Sequence, residues 1–195
     1  MSVIRELPLT LVQSVERRLV TATALVTSPF TGTSQMQDWG GEWWQYDLEM
    51  AVTQGANARR LSAFFAQLGG ARGRFLLRDP SHLPPLGGGV PYVTDVPADR
   101  RMLHTAGWGP GLGAGSFFAL GVGAATRMYQ ITEDVVPFGS EALIRFVPAL
   151  RSTPPIGTVL ETHDPKVLLR LTGPVPTRIG RVDSHRFTVS AREAL

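Results

Sequence analysis

Asp47 and Glu49 have the residue type and spacing that acid–base chemistry requires. They lie two residues apart, so on a β-strand both carboxylates point to the same face. Carboxyl pairs at short range serve glycosidases as acid and base. A solvated strand face explains the pair equally well, because arginines are plentiful enough to neutralise it. We predict no catalytic residue, and we expect the chain not to be an enzyme.

The remaining polar motifs also predict neither a metal site nor a cofactor site. The glycine-rich stretch 109–115 (GPGLGAG) matches neither GxGxxG nor a P-loop, and no helix is predicted after it. The chain has no cysteine, which excludes disulfides and thiolate metal sites. The histidines lack partners at helical ligand spacing, and we interpret them as surface or turn residues: His82, His104, His163 and His185.

Aromatic residues offer a different chemistry, the stacking of a ring on a sugar. Trp43, Trp108 and Tyr92 lie in stretches predicted to be near the surface. Packing in the core or between subunits is the commoner use of such side chains. A carbohydrate-binding β-sandwich module therefore remains an alternative function. A hydrolase with an unrecognised site is a third, although no GxSxG motif is present.

The elements that would position these residues are mostly short strands. Apolar residues alternate within 5–27, and the stretch 28–32 (SPFTG) is a turn signal. From Trp44 onward, apolar and polar residues alternate again, so Trp44 and Tyr46 face the core while Trp43 faces a surface or an interface. Gly40–Gly41 is expected to let the chain bend into this strand. Trp39, just before the glycines, is a further core or interface candidate.

One amphipathic helix of about three turns is predicted near residues 57–68. Its apolar face carries Leu61, Phe64, Phe65 and Leu68, which should pack on the sandwich as core or interface residues. Thr53 or Asn57 could cap its start, and Gly69–Gly70 should end it. Replacing Phe64 by alanine should cost about 3–5 kcal/mol if that side chain is fully buried.

The domain organisation is predicted from two stretches rich in proline and glycine. Residues 80–115 show little regular structure beyond a possible strand at 91–96, and 152–155 form a second linker. We predict a β-sandwich from residues 1–83 plus 153–195. Residues 84–152 are predicted to form an inserted, small barrel-like β domain. Few core contacts should cross between the two parts.

Charge and hydropathy argue against a nucleic-acid or membrane protein. The net charge is only +3, and the arginines are scattered rather than clustered. The uncharged run 105–126 is long enough to span a bilayer, but its glycines and Pro110 disfavour a spanning helix. We therefore expect no membrane insertion.

The order of several motifs resembles a family of tail proteins from long-tailed, siphophage-type bacteriophages and prophages. No single motif is diagnostic, and the similarity covers residues 7 to 195 loosely. It is carried by Ser28–Gly32, Gln35–Trp44, Ala63–Gly73, Arg74–Pro80, Gly115–Gly121, Arg127–Ile131, Ala142–Arg151, Leu168–Leu171 and Phe187–Leu195. The segment 81–101 matches nothing in the family.

The resemblance implies a structural protein of the tail tip or baseplate, most like a distal tail protein. Such a protein has a tail-tube-like β-sandwich and forms a hexameric ring. The ring joins the tail tube protein to the tail hub and receptor-binding proteins and leaves a channel through which DNA passes. The implied location is the virion, after assembly in the host bacterial cytoplasm. The family supplies no catalytic residues.

Overall fold

The computed structural model describes residues 4–85 and 87–195. Within these ranges the chain has thirteen β-strands and one α-helix, which confirms the predicted mainly β class. The strands are β1 Arg5–Glu6, β2 Val12–Thr27, β3 Ser34–Met50, β4 Thr53–Gln54, β5 Phe75–Arg78, β6 Tyr92–Asp95, β7 Met102–Ala106, β8 Phe117–Leu120, β9 Arg127–Ile131, β10 Glu141–Val147, β11 Lys166–Leu171, β12 Thr177–Ile179 and β13 Ser184–Glu193. The helix, α1, is Gly55–Leu68.

Both ends of the chain contribute to the larger sheet. Its order is β1-β5-β11-β13-β3-β2, and β4 and β12 also pair with β13. The pairs are antiparallel except β1 with β5. Along β13, Phe187, Val189 and Ala191 are buried while the residues between them are exposed, as the alternation predicts. The buried side carries the main core and receives α1.

The smaller sheet closes into a barrel-like unit. Its order is β6-β7-β10-β9-β8, and a stretch near residues 157–161 bridges both of its edges. Val159 pairs with Tyr92 on β6, and Glu161 pairs with Ala119 on β8. This bridging stretch lies beyond residue 152, the predicted end of the insertion.

Residues 80–115 contain more regular structure than predicted. Strand β6 corresponds to the strand expected at 91–96, but β7 (MLHTA) was not predicted. Its five residues show no clear apolar alternation, and its conformation depends on antiparallel pairing with β6 and β10. Such pairing between segments distant in sequence is not visible in a local pattern.

The helix begins and ends close to the predicted positions, but its start is stabilised differently. Neither Thr53 nor Asn57 acts as a cap. Instead, the backbone N–H of Gly55 donates to the Asp183 carboxylate over 3.2 Å, at an end where negative charge is favourable. Gly69 has a left-handed φ of 60° and ends the helix, as predicted.

The four predicted apolar residues of α1 differ in depth. Leu61 and Phe65 are buried, whereas Phe64 and Leu68 are half-buried and pack against the same core. Phe64 meets Phe65 and Phe75 edge-to-face, with ring centroids 5.4 and 6.1 Å apart. Because Phe64 is half-buried, its replacement by alanine should cost less than the 3–5 kcal/mol expected for full burial.

The expectation of few core contacts between the two parts requires correction. Phe117 on β8 and Met128 on β9 belong to the smaller sheet, yet both side chains lie in the core of the larger one. The Trp44 indole N–H also donates to the Met128 carbonyl oxygen over 3.0 Å. The barrel-like unit therefore covers part of the larger core, and removing it would expose apolar side chains to water.

Candidate functional site: a projecting hairpin and an open sheet edge

A hairpin formed by residues 22–40, here called the arm, is exposed along nearly its whole length. It consists of the end of β2, the turn 28–33 and the beginning of β3, paired in register as far as Thr27 and Ser34. The turn is closed by the Ser28 N–H donating to the Thr33 carbonyl over 2.9 Å. Gly32 adopts a φ of 68°, which suits glycine. The predicted turn at 28–32 is thus confirmed.

The arm exposes apolar side chains along its length. Phe30, at the tip, is 94% exposed, and the others are Leu25, Val26, Met36 and Trp39. Leu25 and Met36 lie opposite each other across the two strands. Asp38 is the only charged residue between positions 22 and 40. A two-stranded ribbon is marginally stable alone, so an exposed arm with one charged residue and many apolar ones indicates a contact surface.

A bulge separates the arm from the body of the protein. Thr21 pairs with Glu42 and Thr23 with Asp38, so three residues of β3 oppose one residue of β2. Gly40 lies in this bulge with a φ of 68°, and its N–H donates to the Asp38 carboxylate over 2.7 Å. The strand begins at Ser34, before the glycines. Gly40 therefore marks a kink within the hairpin rather than the entry to the strand.

Glu42, just after the bulge, anchors the arm to the barrel-like unit. Its carboxylate accepts hydrogen bonds from Arg101 at 2.5 Å and from the backbone N–H of Ala149 at 2.8 Å. Arg151 donates to the Glu42 carbonyl oxygen. These contacts hold the base of the arm against residues more than fifty positions away, and no sequence signal identified them.

The adjacent tryptophans point to opposite faces, as predicted. Trp44 and Tyr46 are buried in the main core, and Trp43 on the other face is half-buried. Trp39 is 65% exposed and belongs to the arm, which places it among the interface candidates rather than the core. Burial raises the pKa of Tyr46 well above its ordinary value, and the nearby Asp79 carboxylate adds to this rise.

The outer side of β2 is an open edge. β2 is the last strand of the larger sheet, and no other strand among residues 4–85 and 87–195 pairs with its outer side. It is 16 residues long; its charges, Glu16, Arg17 and Arg18, lie in its first half, and residues 19–27 contain neither a charge nor proline, the features that often protect such edges. The smaller sheet differs, since both of its edges are covered near 157–161. The open edge and the arm are continuous along the same strand.

The carboxylates singled out in the sequence belong to an exposed polar strand face. Asp47 forms an ion pair with Arg18 and accepts a hydrogen bond from Ser190 at 2.6 Å. Glu49 accepts a hydrogen bond from Ser14 at 3.2 Å. These contacts fit the solvated-face interpretation of the pair.

The aromatic residues considered for sugar stacking do not form a common platform. Trp108 is only 6% exposed, and its indole N–H donates to the Thr105 hydroxyl over 2.7 Å, so its proposed stacking on a sugar is incorrect. Trp43 is half-buried, while Tyr92 is 41% exposed on a different sheet. Neither Trp43 nor Tyr92 lines any of the four grooves with volumes of about 260–480 Å³ found in the described part of the chain.

A buried histidine joins the two sheets. His82 lies between them: its Nδ1 accepts from the Phe117 N–H at 3.2 Å, and its Nε2 lies 2.8 Å from the Thr162 carbonyl oxygen. These partners require a neutral ring with the proton on Nε2. Burial lowers the pKa of His82, and the positive charge of Arg78 lowers it further, although Asp79 and Asp164 act in the opposite direction.

The free energy of unfolding should therefore fall as the pH drops below about 6.5, where His82 takes up a proton in the unfolded chain. Because the pKa of His82 is lower in the folded protein, acid protonates the unfolded chain first and shifts the equilibrium towards it. Between about pH 7.5 and pH 5.5, His82→Gln should lose less stability than the original chain. Urea unfolding at both pH values measures this. His104→Gln, at an exposed position, is the control, and equal pH slopes for the His82 variant and the original chain would refute the assignment.

The described residues contain no group of three or more histidines, cysteines or acidic residues placed to hold a metal ion. No helix in the described part of the chain has both the length and the apolar character needed to cross a bilayer.

No protein-family model and no curated protein matches the chain.

Proposed function

We propose that this chain is a structural subunit of a ring at the tip of a long-tailed phage tail. In this role it acts as a distal tail protein, joining the tail tube to the hub and receptor-binding proteins and leaving a channel for DNA. The observation that carries the proposal is the open edge of β2, continuous with the exposed apolar arm. The order of tail-protein-like motifs supports it.

An open edge of this length can pair with a strand of another chain. Its unpaired N–H and C=O groups can accept another strand, and residues 19–27 of β2 carry no charge or proline to prevent this. A ring meets the need by burying the same two surfaces on every subunit, head to tail. Six copies would match the symmetry of the tail tube that the resemblance implies.

Two pairs of facing arginines indicate which face should not line the DNA channel. Arg170 lies directly opposite Arg192, and Arg178 lies opposite Arg186. Like charges across neighbouring strands repel each other, and a dense positive surface would hold phosphates and slow the passage of DNA. In the proposed ring, this face should lie outward or between subunits, near acidic groups.

The proposal predicts a closed ring when the purified chain is concentrated or assembled with its tail proteins. Native mass spectrometry and electron-microscope images should show a cyclic particle with six copies. Thr21→Lys combined with Thr23→Lys places two charges on the open edge and should prevent ring formation without unfolding the subunit. Val122→Lys combined with Val136→Lys is the matched control, because both residues are exposed in loops of the barrel-like unit, away from the open edge. Exclusively monomeric chains under both conditions would contradict the proposed function.

A further inference from the structure

An apolar groove lies between the N-terminal segment and α1. It has a volume of about 450 Å³. Its apolar lining comes from Pro8, Leu11, Leu61, Ala63 and Phe64. Polar residues complete the lining: Arg5 donates to Gln67, and Glu6 forms an ion pair with Lys166. Arg60 stands at the side of the groove, exposed and without an ion pair among the described residues. The groove is large enough to receive an aromatic side chain, and it offers a cation beside that ring.

The groove and the tip of the arm lie at opposite ends of the same strand. Leu11 lines the groove immediately before β2 begins, and the turn at the tip follows Thr27, where β2 ends. A strand of 16 residues spans about 50 Å at roughly 3.3 Å per residue. Because β2 is continuous, the tip of the arm cannot reach the groove of its own chain. Any contact between these two surfaces must join two copies.

We propose that Phe30 at the tip of the arm inserts into this groove on the next copy of the chain. The partner is thus a second copy, and the proposal rests on the ring function above. Phe30 projects into solvent in the single subunit, whereas the groove supplies apolar walls and an unpaired Arg60. Asp38, the only charge on the arm, is eight residues away from the tip, so the inserted part is uncharged.

Such a contact gives the assembly a direction. The tip of one copy binds the groove of the next, so the surfaces are different and the arrangement is head to tail. Such contacts close into a ring when the rotation between copies permits. An aromatic residue seated in a partner's pocket commonly dominates an interface, and Phe30→Ser should weaken association about tenfold or more.

The absence of cysteine makes a disulfide test specific. Thr31→Cys places a thiol beside Phe30, and Ala63→Cys places one in the groove. When the two variants, tagged to differ in mass, are mixed and mildly oxidised, a disulfide should join one copy of each. Ser62→Cys is the matched control, because it is exposed on the same helix but does not line the groove. Adding Phe30→Ser to the Thr31→Cys chain should abolish the link.

The outcomes separate this contact from the ring function. Rings without the tip-to-groove disulfide would overturn the arm contact and leave the ring standing. Equal linking through Ser62→Cys would also overturn it, while monomers without any link would overturn both proposals. Binding to phosphatidylcholine–phosphatidylglycerol vesicles that requires Phe30, without the disulfide, would assign the arm to a lipid surface instead. The specific disulfide in a ring of the original size supports the proposal.

Discussion

Replacing Phe117 by alanine is expected to lower the free energy of unfolding by about 3–5 kcal/mol, the cost of emptying a buried phenylalanine site. Phe117 is fully buried at the boundary between the two sheets. It meets Trp44 edge-to-face at 6.0 Å, and the Arg17 guanidinium lies 4.3 Å from the centre of its ring. The substitution removes contacts on both sides of the boundary, so both sheets should lose stability together.

Chemical denaturation followed by tryptophan fluorescence and circular dichroism measures this effect. Phe138→Ala is the control, because Phe138 is 93% exposed, and a surface change of this kind should stay within about 0.5 kcal/mol. A single cooperative transition at lower denaturant is expected for Phe117→Ala. Two separate transitions would show that the barrel-like unit folds independently of the larger core. An unchanged midpoint would contradict the predicted contribution of Phe117.

Replacing Asp79 by alanine should cost a comparable amount, about 3–5 kcal/mol, because it leaves buried polar partners without an acceptor. Asp79 is only 1% exposed. Its carboxylate forms an ion pair with Arg17 and accepts hydrogen bonds from the Tyr46 hydroxyl at 3.1 Å and the Ser81 N–H at 2.9 Å. Without it, the charge of Arg17 and the hydroxyl of Tyr46 remain poorly compensated at the edge of the core.

A double-mutant cycle tests that cause. Removing both charges with Asp79→Ala and Arg17→Met should cost less than the sum of the two single changes, since no unpaired charge remains. Asp47→Ala is the control: its pair with Arg18 is partly exposed and should contribute only about 0.2–1 kcal/mol. Additive costs for Asp79 and Arg17 would show that their pairing is not the source of stability.

The same carboxyl group should also make the fold sensitive to acid. Burial favours the protonated form of Asp79, but hydrogen bonds from Ser81 and Arg17 outweigh it, so the pKa lies below its ordinary value. The stabilisation is therefore complete above the unfolded pKa of about 3.9 and is lost as the pH falls through the folded pKa. Glu193 has the opposite effect on stability. Burial raises its pKa, so its protonation as the pH falls stabilises the folded state.

Local patterns were sufficient for the elements that neighbouring residues control. The alternation from Trp44 onward predicted which residues face the core, and the apolar spacing of Leu61 and Phe65 predicted the helix. Gly69 and the turn at 28–32 were also identified, because a left-handed conformation and a tight turn restrict residue type at single positions. The mainly β class followed from these features together.

Contacts between residues distant in sequence required the tertiary structure. Examples are the cap that Asp183 provides for α1 and the anchoring of Glu42 by Arg101. Closure of the smaller sheet near 157–161 and the burial of Phe117 in the larger core are of the same kind. Of the residues named as core or interface candidates, Trp39 lies in the arm, and Leu61 and Phe64 line the groove beside α1. Phe30 was noted only as part of the turn signal, because exposure at the tip of the arm is not visible in a local pattern.

The amino-acid sequence by itself determined where the helix, the turn at 28–32 and the strand from Trp44 onward form, because backbone conformation and the alternation of apolar residues are local properties. Strand β7 was missed because it depends on pairing with other strands. The tertiary structure decided which apolar residues on the strands remained exposed to solvent. Residues 22–27 of β2 alternate like the rest of the strand, yet Leu25 and Val26 remain exposed, because the arm lies beyond the bulge at Gly40 and outside the core. Burial depends on what the rest of the chain can reach, and that is a property of the whole fold.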